Sequence, residues 1–205
     1  MKALLEKAAA KLKPLGFQKK ESSFWRIDNE VYKMIDFQKG SHGGKYYFIN
    51  LCVHPLGLPL LTMERLVIPT RPKEYDCLVR QRIEQVSSDA MLQPFRSGFV
   101  STSADLQSND EILTTTSRDG VNWLDRWGTH EALAKADEEE LTEKLTVAPV
   151  LWLKAYAMVK CFCLLRIGER DSAREFFNQF LSEKPTGLDL SEVENHILSL
   201  FEELS

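Results

Sequence analysis

Five polar residues stand in strand-like runs where apolar side chains would be expected, and they form the group best suited to bind an anion. They are Arg26, Gln38, Asn50, Arg80 and Arg82. Guanidinium groups donate paired hydrogen bonds to carboxylates and phosphates. If their strands are neighbours, we expect a polar, partly basic groove for an anionic compound or an acidic partner side chain, with Trp25 as an aromatic anchor. The alternative is that all five are solvent-facing or sheet-edge residues.

A second candidate surface is acidic and consists of Asp137, Glu138, Glu139 and Glu140 in a helical context. The simplest interpretation of such a run is a solvated helical surface. The chain has 26 Lys and Arg against 30 Asp and Glu, which gives a net charge of −4. This balance argues against nucleic-acid binding, which needs a basic surface. It permits a basic protein partner.

The sequence contains no recognised catalytic or cofactor motif. Its four histidines lack His-x-x-x-His and His-Glu-x-x-His spacing, and we expect them to be solvated or structural. Gly40 to Lys45 joins two predicted strands, so it predicts a hairpin loop and not a phosphate-binding loop. The four cysteines form no Cys-x-x-Cys pair and are typical of buried thiols in a reducing compartment. We therefore predict no catalytic residue, metal or cofactor.

The element that must position the polar cluster is a β-hairpin. Val31 to Lys39 and Tyr46 to Val53 are rich in β-branched and aromatic residues and flank the glycine-rich connection. Before it, Ala3 to Leu12 has the apolar spacing of a helix that Pro14 ends, and Phe17 to Lys20 and Ser23 to Asp28 predict strand. After it, Cys77 to Val86 fits helix or strand, with strand favoured by its alternation.

From residue 105 the apolar period becomes helical. Asn109 resembles a helix start, Gly120 interrupts the pattern, and Thr129 opens a further helix. A strand is expected at Phe95 to Val100, and a long buried helix at Val150 to Ile167. The predicted fold is α+β: an antiparallel sheet of about four or five strands with an N-terminal helix and a helical C-terminal region packed on it. We place the sheet domain at 1–104 and the helical region at 105–205.

Charged residues argue against export and membrane insertion. Glu6 and Lys7 interrupt the N-terminal apolar stretch, and Lys154 and Lys160 interrupt the most apolar later one. We expect a cytoplasmic protein that does not enter a membrane.

Several short motifs in the N-terminal half occur in a fixed order. They are Gly16-Phe17-x-Lys19-Lys20, Phe24-Trp25-Arg26, Ile35-Asp36-Phe37-Gln38-Lys39 and Phe48-Ile49-Asn50-Leu51, with a weaker echo at Cys77, Arg80 and Arg82-Ile83. Over roughly residues 1–100 the chain resembles a bacterial domain-of-unknown-function family, number 4304. The resemblance implies a small cytoplasmic α+β protein without an established catalytic centre. By analogy, such proteins include partner-binding factors and toxin-neutralising immunity proteins.

The leading prediction is therefore a non-catalytic protein-binding factor, of which an immunity protein against a basic toxin domain is one form. Its contact surface would be the acidic run Asp137 to Glu140 or the sheet groove. The alternative is an enzyme or small-ligand binder that holds an anionic compound in the groove.

Overall fold

The structure is a computed structural model that describes residues 1–40, 47–61, 66–89, 92, 106–144, 152–183 and 191–203. The N-terminal helix, α1 (Lys2–Leu12), ends where the sequence predicts. Its buried side chains recur every fourth residue, at Leu4, Ala8 and Leu12. Pro14 has no backbone N–H to continue the helix, and Lys13–Leu15 forms a 3₁₀ turn. Gly16 then adopts a φ of 85°, which directs the chain into the sheet.

The predicted antiparallel sheet is confirmed. Within the described ranges the strands are β1 (Gln18–Lys20), β2 (Ser23–Asp28), β3 (Val31–Lys39), β4 (Tyr47–Pro55), β5 (Leu60–Leu61), β6 (Leu66–Val67) and β7 (Val79–Arg82). One five-stranded sheet has the order β1-β2-β3-β4-β7, and β5 pairs with β6 separately. The ambiguous segment at Cys77 to Val86 holds both forms, because β7 leads into the short helix α2 (Ile83–Val86). The strand expected at Phe95 to Val100 lies outside the described residues.

The register of β2 and β3 assigns side chains to two faces of the sheet. Phe24 pairs with Ile35, and Arg26 pairs with Lys33; directly opposed residues share a face. We call this the helix-covered face, and it carries Phe24, Arg26, Lys33, Ile35, Phe37, Tyr47 and Leu51. The alternate residues form the second face, which carries Trp25, Tyr32, Met34, Gln38, Phe48 and Asn50. Successive residues of β3 and β4 therefore alternate between the two faces.

The next helical segment covers the first of these faces. It comprises α3 (Leu106–Thr115), a π-helical turn (Thr116–Gly120) and α4 (Val121–Trp127). The Tyr47 hydroxyl donates to the side-chain oxygen of Asn109 at 3.0 Å. Asn109 therefore lies buried inside α3, and the predicted helix start there is wrong. Its side-chain amide bonds Tyr47 of the sheet and does not cap the helix.

The α-helical pattern is interrupted at Gly120, as predicted, by the π-helical turn that Gly120 ends, but the chain remains helical. The φ of Gly120, −64°, is helical, and the chain passes through the π turn directly into α4. A Cβ at this position would lie 3.0 Å from Cδ2 of Leu51. The absence of a side chain at Gly120 thus allows the helix to pack closely on the sheet.

The remaining helices are α5 (His130–Lys135), α6 (Glu138–Thr142), α7 (Trp152–Arg166), α8 (Arg170–Glu183) and α9 (Ser191–Glu203). The side chain of Thr129 caps α5 as predicted, by accepting from the backbone N–H of Ala132 at 3.0 Å. Between Ala155 and Leu165 the described side chains of α7 are buried on nearly every side, as expected of a helix that is apolar all round. Gly168, with a φ of 80°, follows its C-terminus.

The chain divides into two compact units that alternate along the sequence. One comprises Met1–Val53 and Arg80–Gly128, and the other comprises His54–Val79 and Thr129–Ser205. The boundary that we placed at residue 104 stays a prediction. Among the described residues, no helix has the length and apolar character needed to cross a membrane.

We expect the substitution Gly128→Ala to lower the free energy of unfolding by about 3 kcal/mol, because an added Cβ would overlap the Leu124 carbonyl oxygen and Cε of Lys33. The control Gly168→Ala has nothing within 4 Å of its Cβ and should lose only about 1 kcal/mol through its left-handed backbone. Urea denaturation of both variants makes the comparison. Equal losses would contradict the packing assigned to Gly128.

Candidate functional site

The predicted anion-binding cluster is distributed over both faces of the sheet. Arg26 lies on the helix-covered face, whereas Trp25, Gln38 and Asn50 lie on the second face. Arg82 stacks over the ring of Phe48 at 4.2 Å, which places it on the second face, and strand alternation places Arg80 there too. The structure therefore does not bring all six residues into one groove. The binding role of those on the second face stays a prediction.

Arg26 is held by groups of its own unit. It donates to the Leu15 carbonyl at 2.8 Å and forms ion pairs with Asp28 and Asp125. Its guanidinium lies 4.7 Å from the centre of the Phe17 ring. These contacts connect the sheet to the chain before it and to α4, so Arg26 has a structural role in this arrangement.

Lys33 is a buried charge that the sequence analysis missed. Its side chain is only 5% exposed and lies 2.9 Å from Asp125 and 3.2 Å from Asp28. Burial alone would raise the pKa of Asp125, but hydrogen bonds from Lys33 and Arg26 outweigh this effect and hold the pKa below its ordinary value. The sequence did contain a signal, because Lys33 stands among the apolar residues of one strand face. A lysine buried there needs carboxylate partners.

On the second face, the polar side chains pair with each other or with aromatic rings. Asn50 donates to the side-chain oxygen of Gln38 at 3.0 Å. Trp25 stacks on Tyr32 with a centroid distance of 5.5 Å. Asn50 is buried and Gln38 is exposed, so this pair lies where the second face passes from buried to exposed.

The acidic run is exposed, as predicted. All four residues from Asp137 to Glu140 have exposed side chains. Asp137 caps α6 by accepting from the backbone N–H of Glu140 at 2.8 Å. Because Asp137 caps the helix, the three glutamates that follow it are held in the first turn of α6.

One side of this acidic run opens on a pocket of about 370 Å³ in the second unit. Its walls come from α6, α7 and α8 and consist of Glu138, Leu153, Tyr156, Phe176, Gln179, Phe180 and Glu183. Tyr156 meets Phe176 edge to face, with 5.5 Å between centroids and an interplanar angle of 84°. The rings of Phe176 and Phe180 are 6.4 Å apart and nearly parallel, at 22°. The pocket thus combines apolar walls with two carboxylates.

Carboxylates near this pocket act on the phenol of Tyr156. Burial raises the pKa of Tyr156 to about 12, with further contributions from the charges of Glu138 and Asp137. Tyr156 therefore remains a neutral phenol at neutral pH. Gln179 donates to Glu183 at 3.0 Å and so orients that carboxylate.

Sequence analysis could not find this pocket, although its parts were visible. Phe176 and Phe180 are four residues apart in α8, so they lie on one face of that helix. Which residues of α6 and α7 would meet them depends on tertiary packing. Tyr156, a phenol in an otherwise apolar helix, was the available signal, because buried tyrosines place their hydroxyls beside a polar group or water.

The described histidines and the cysteines serve the core. The Nε2–H of His54 donates to the Leu58 carbonyl at 3.0 Å, the tautomer that a carbonyl partner requires. Burial lowers the pKa of His54 to about 4, and His42 lies outside the described residues. All four cysteines are buried and form no disulfide, and burial raises the pKa of Cys161 to about 12. No cluster of metal-ligating side chains occurs among the residues that the structure describes.

Comparison with known proteins confirms the family resemblance. The family model of a domain of unknown function (DUF4304) matches residues 8–137, which is further than the roughly 100 residues that the motifs suggested. The match includes the whole five-stranded sheet and ends just before Glu138. Searches among curated proteins and among solved structures found no match.

Replacing Asp125 with Asn should lower the free energy of unfolding by about 2 kcal/mol, because the buried ammonium of Lys33 loses a charged partner. The matched control is Asp110→Asn, which removes an exposed ion pair with Lys7 of 2.9 Å and should cost under about 0.5 kcal/mol. Urea midpoints at pH 7 measure both effects. If Asp125→Asn costs no more than the control, Lys33 does not depend on this carboxylate.

His54 should make the folded state less stable as the pH falls. Its folded pKa of about 4 lies below the ordinary 6.5, so the unfolded chain binds more protons between these values. The contribution is fully present above pH 6.5 and falls by about 2 kcal/mol on going from pH 7 to pH 5. Urea denaturation at both pH values should show this loss to be smaller in His54→Gln. Parallel losses in the two proteins would show that His54 is not the group responsible.

Proposed function

Because the chain belongs to the family described as a domain of unknown function (DUF4304), we propose a function from its own side chains: it is a non-catalytic protein-binding factor for a basic partner. One observation carries this proposal. Glu138 belongs both to the exposed run Asp137 to Glu140 and to the wall of the aromatic pocket. Long-range charge and a shaped recess therefore occur on one surface, which is the combination that a specific interface uses.

The acidic run attracts a basic partner over a distance, and the pocket provides the close contact. Exposed carboxylates attract a basic surface over roughly the Debye length, about 8 Å at physiological salt. They contribute more to the rate of association than to affinity. The aromatic side chains of the recess then give the apolar contact that exposed charges lack.

The proposal includes a finer form, in which the partner is a basic toxin domain and this chain neutralises it in the bacterial cytoplasm. The excess of acidic residues over basic ones supports a basic partner. The four buried cysteines, none of them in a disulfide, support a reducing compartment. We prefer this function to binding of an anionic compound, because Arg26 faces away from the other cluster residues and is engaged by Asp28 and Asp125.

Neutralising the acidic run tests the proposal without removing the cap of α6, since Asn also caps helices. The test variant carries Asp137→Asn, Glu138→Gln, Glu139→Gln and Glu140→Gln. A matched control removes four exposed carboxylates elsewhere. It carries Glu6→Gln, Glu21→Gln, Glu192→Gln and Glu202→Gln.

Native affinity purification from the source cells should recover a basic protein in stoichiometric amount with the wild type and with the control. Its affinity for the purified test variant should be about tenfold lower, because four exposed charges each contribute a fraction of a kcal/mol. The affinity of the wild type should also fall as salt rises. Failure to recover a stoichiometric partner, or equal losses in the two variants, would contradict the proposal.

A further inference from the structure

The pocket between α6, α7 and α8 has the components of a cation site. Its volume of about 370 Å³ lies in the range of small-ligand pockets, roughly 300–1,000 Å³. Aromatic faces attract cations through the ring quadrupole, most strongly where water is excluded. Tyr156 is 8% exposed, so its ring provides a largely dehydrated wall.

The carboxylates of the pocket are available to a cation. Within the described part of the chain, neither Glu138 nor Glu183 forms an ion pair with a Lys or Arg side chain. Glu183 accepts a hydrogen bond only from the neutral amide of Gln179. The Tyr156 hydroxyl likewise makes no hydrogen bond to the described residues. Among the described residues, the lining of the recess thus includes two carboxylates and a tyrosine but no Lys, Arg or His side chain.

The angle between the rings distinguishes among cations. Tyr156 and Phe176 meet edge to face at 84°, so the two rings touch each other and form a corner in the pocket wall that a compact ammonium group can contact on two sides. A planar guanidinium stacks best on a single flat ring. Leu153 adds an aliphatic surface for the methylene groups that carry the nitrogen.

We propose that this pocket binds an alkylammonium group, and that the group is a lysine side chain of the protein partner. The identity of the site rests on the pocket itself. Only the source of the ammonium rests on the proposed function. Glu138 and Glu183 neutralise the charge, Tyr156 and Phe176 enclose it, and Leu153 contacts the alkyl chain.

The test uses the full chain and n-butylammonium chloride as the probe, with 1-butanol as its neutral counterpart. Titrations followed by NMR of labelled tyrosine and phenylalanine rings should show saturable shifts at Tyr156 and Phe176 with n-butylammonium. The affinity for 1-butanol should be at least tenfold weaker. Equal affinities, or no saturation with n-butylammonium, would overturn the cation site.

Two matched variants test whether the carboxylate of Glu138 binds the probe. Glu138→Gln should weaken n-butylammonium binding about tenfold, whereas Glu139→Gln, an exposed neighbour outside the pocket, should change it less than twofold. Both positions are exposed, so neither variant should alter folding. Equal effects of the two variants would show that the probe senses only the general negative charge of α6, which would overturn the site.

A third titration tests the source of the ammonium. Nα-acetyl-lysine amide should bind the wild type at least as tightly as n-butylammonium does, and a failure to bind would overturn the lysine assignment. These titrations contain no partner protein. A failure of the cation site therefore appears here, whereas a failure of the proposed function appears in the partner purification.

Discussion

A β-strand sends successive side chains to opposite faces, and this constraint decides what each residue of the sheet can do. Trp25 and Arg26 are adjacent in sequence, yet they lie on opposite faces and take part in different structures. Arg26 shares the partly exposed carboxylates of Asp28 and Asp125 with the buried Lys33, whereas Trp25 stacks on Tyr32. A set of polar residues that is close in sequence is therefore not one site unless the register places its members on one face.

The two units carry different kinds of charge. In the sheet unit, Lys33 is buried and Arg26 is largely covered, and both have carboxylate partners, which stabilise the contact between sheet and helix. In the other unit, the pocket carboxylates Glu138 and Glu183 are accessible and form no ion pair with a Lys or Arg side chain among the described residues. Compensated charge is typical of structural roles and uncompensated, accessible charge is typical of binding. This difference is why we assign recognition to the helices and not to the sheet.

The pocket also lies apart from the family match, which ends at residue 137. Membership of the family thus accounts for the end of α1, the five-stranded sheet and the helices up to α5. The recognition that we propose uses residues from Glu138 to Glu183, so family membership by itself gives no information about the partner.

Local rules predicted most of the elements. Pro14 ended α1, the alternation of β3 and β4 gave the two faces, and Thr129 capped α5. Predictions failed where a residue serves a distant contact. Asn109 was predicted as a helix start but accepts a hydrogen bond from Tyr47. The interruption at Gly120 was predicted, but its close approach to Leu51 was not. Lys33 and the pocket were missed for the same reason, because their partners lie on elements whose packing the sequence pattern does not reveal.

The central claim is that the corner between Tyr156 and Phe176 receives an ammonium group. The most direct measurement is of intermolecular nuclear Overhauser effects between n-butylammonium and the full chain with labelled aromatic rings. The account predicts cross-peaks from the methylene group next to the nitrogen to the ring protons of both Tyr156 and Phe176. Cross-peaks confined to an exposed ring such as Tyr75, which is 67% exposed, would contradict it.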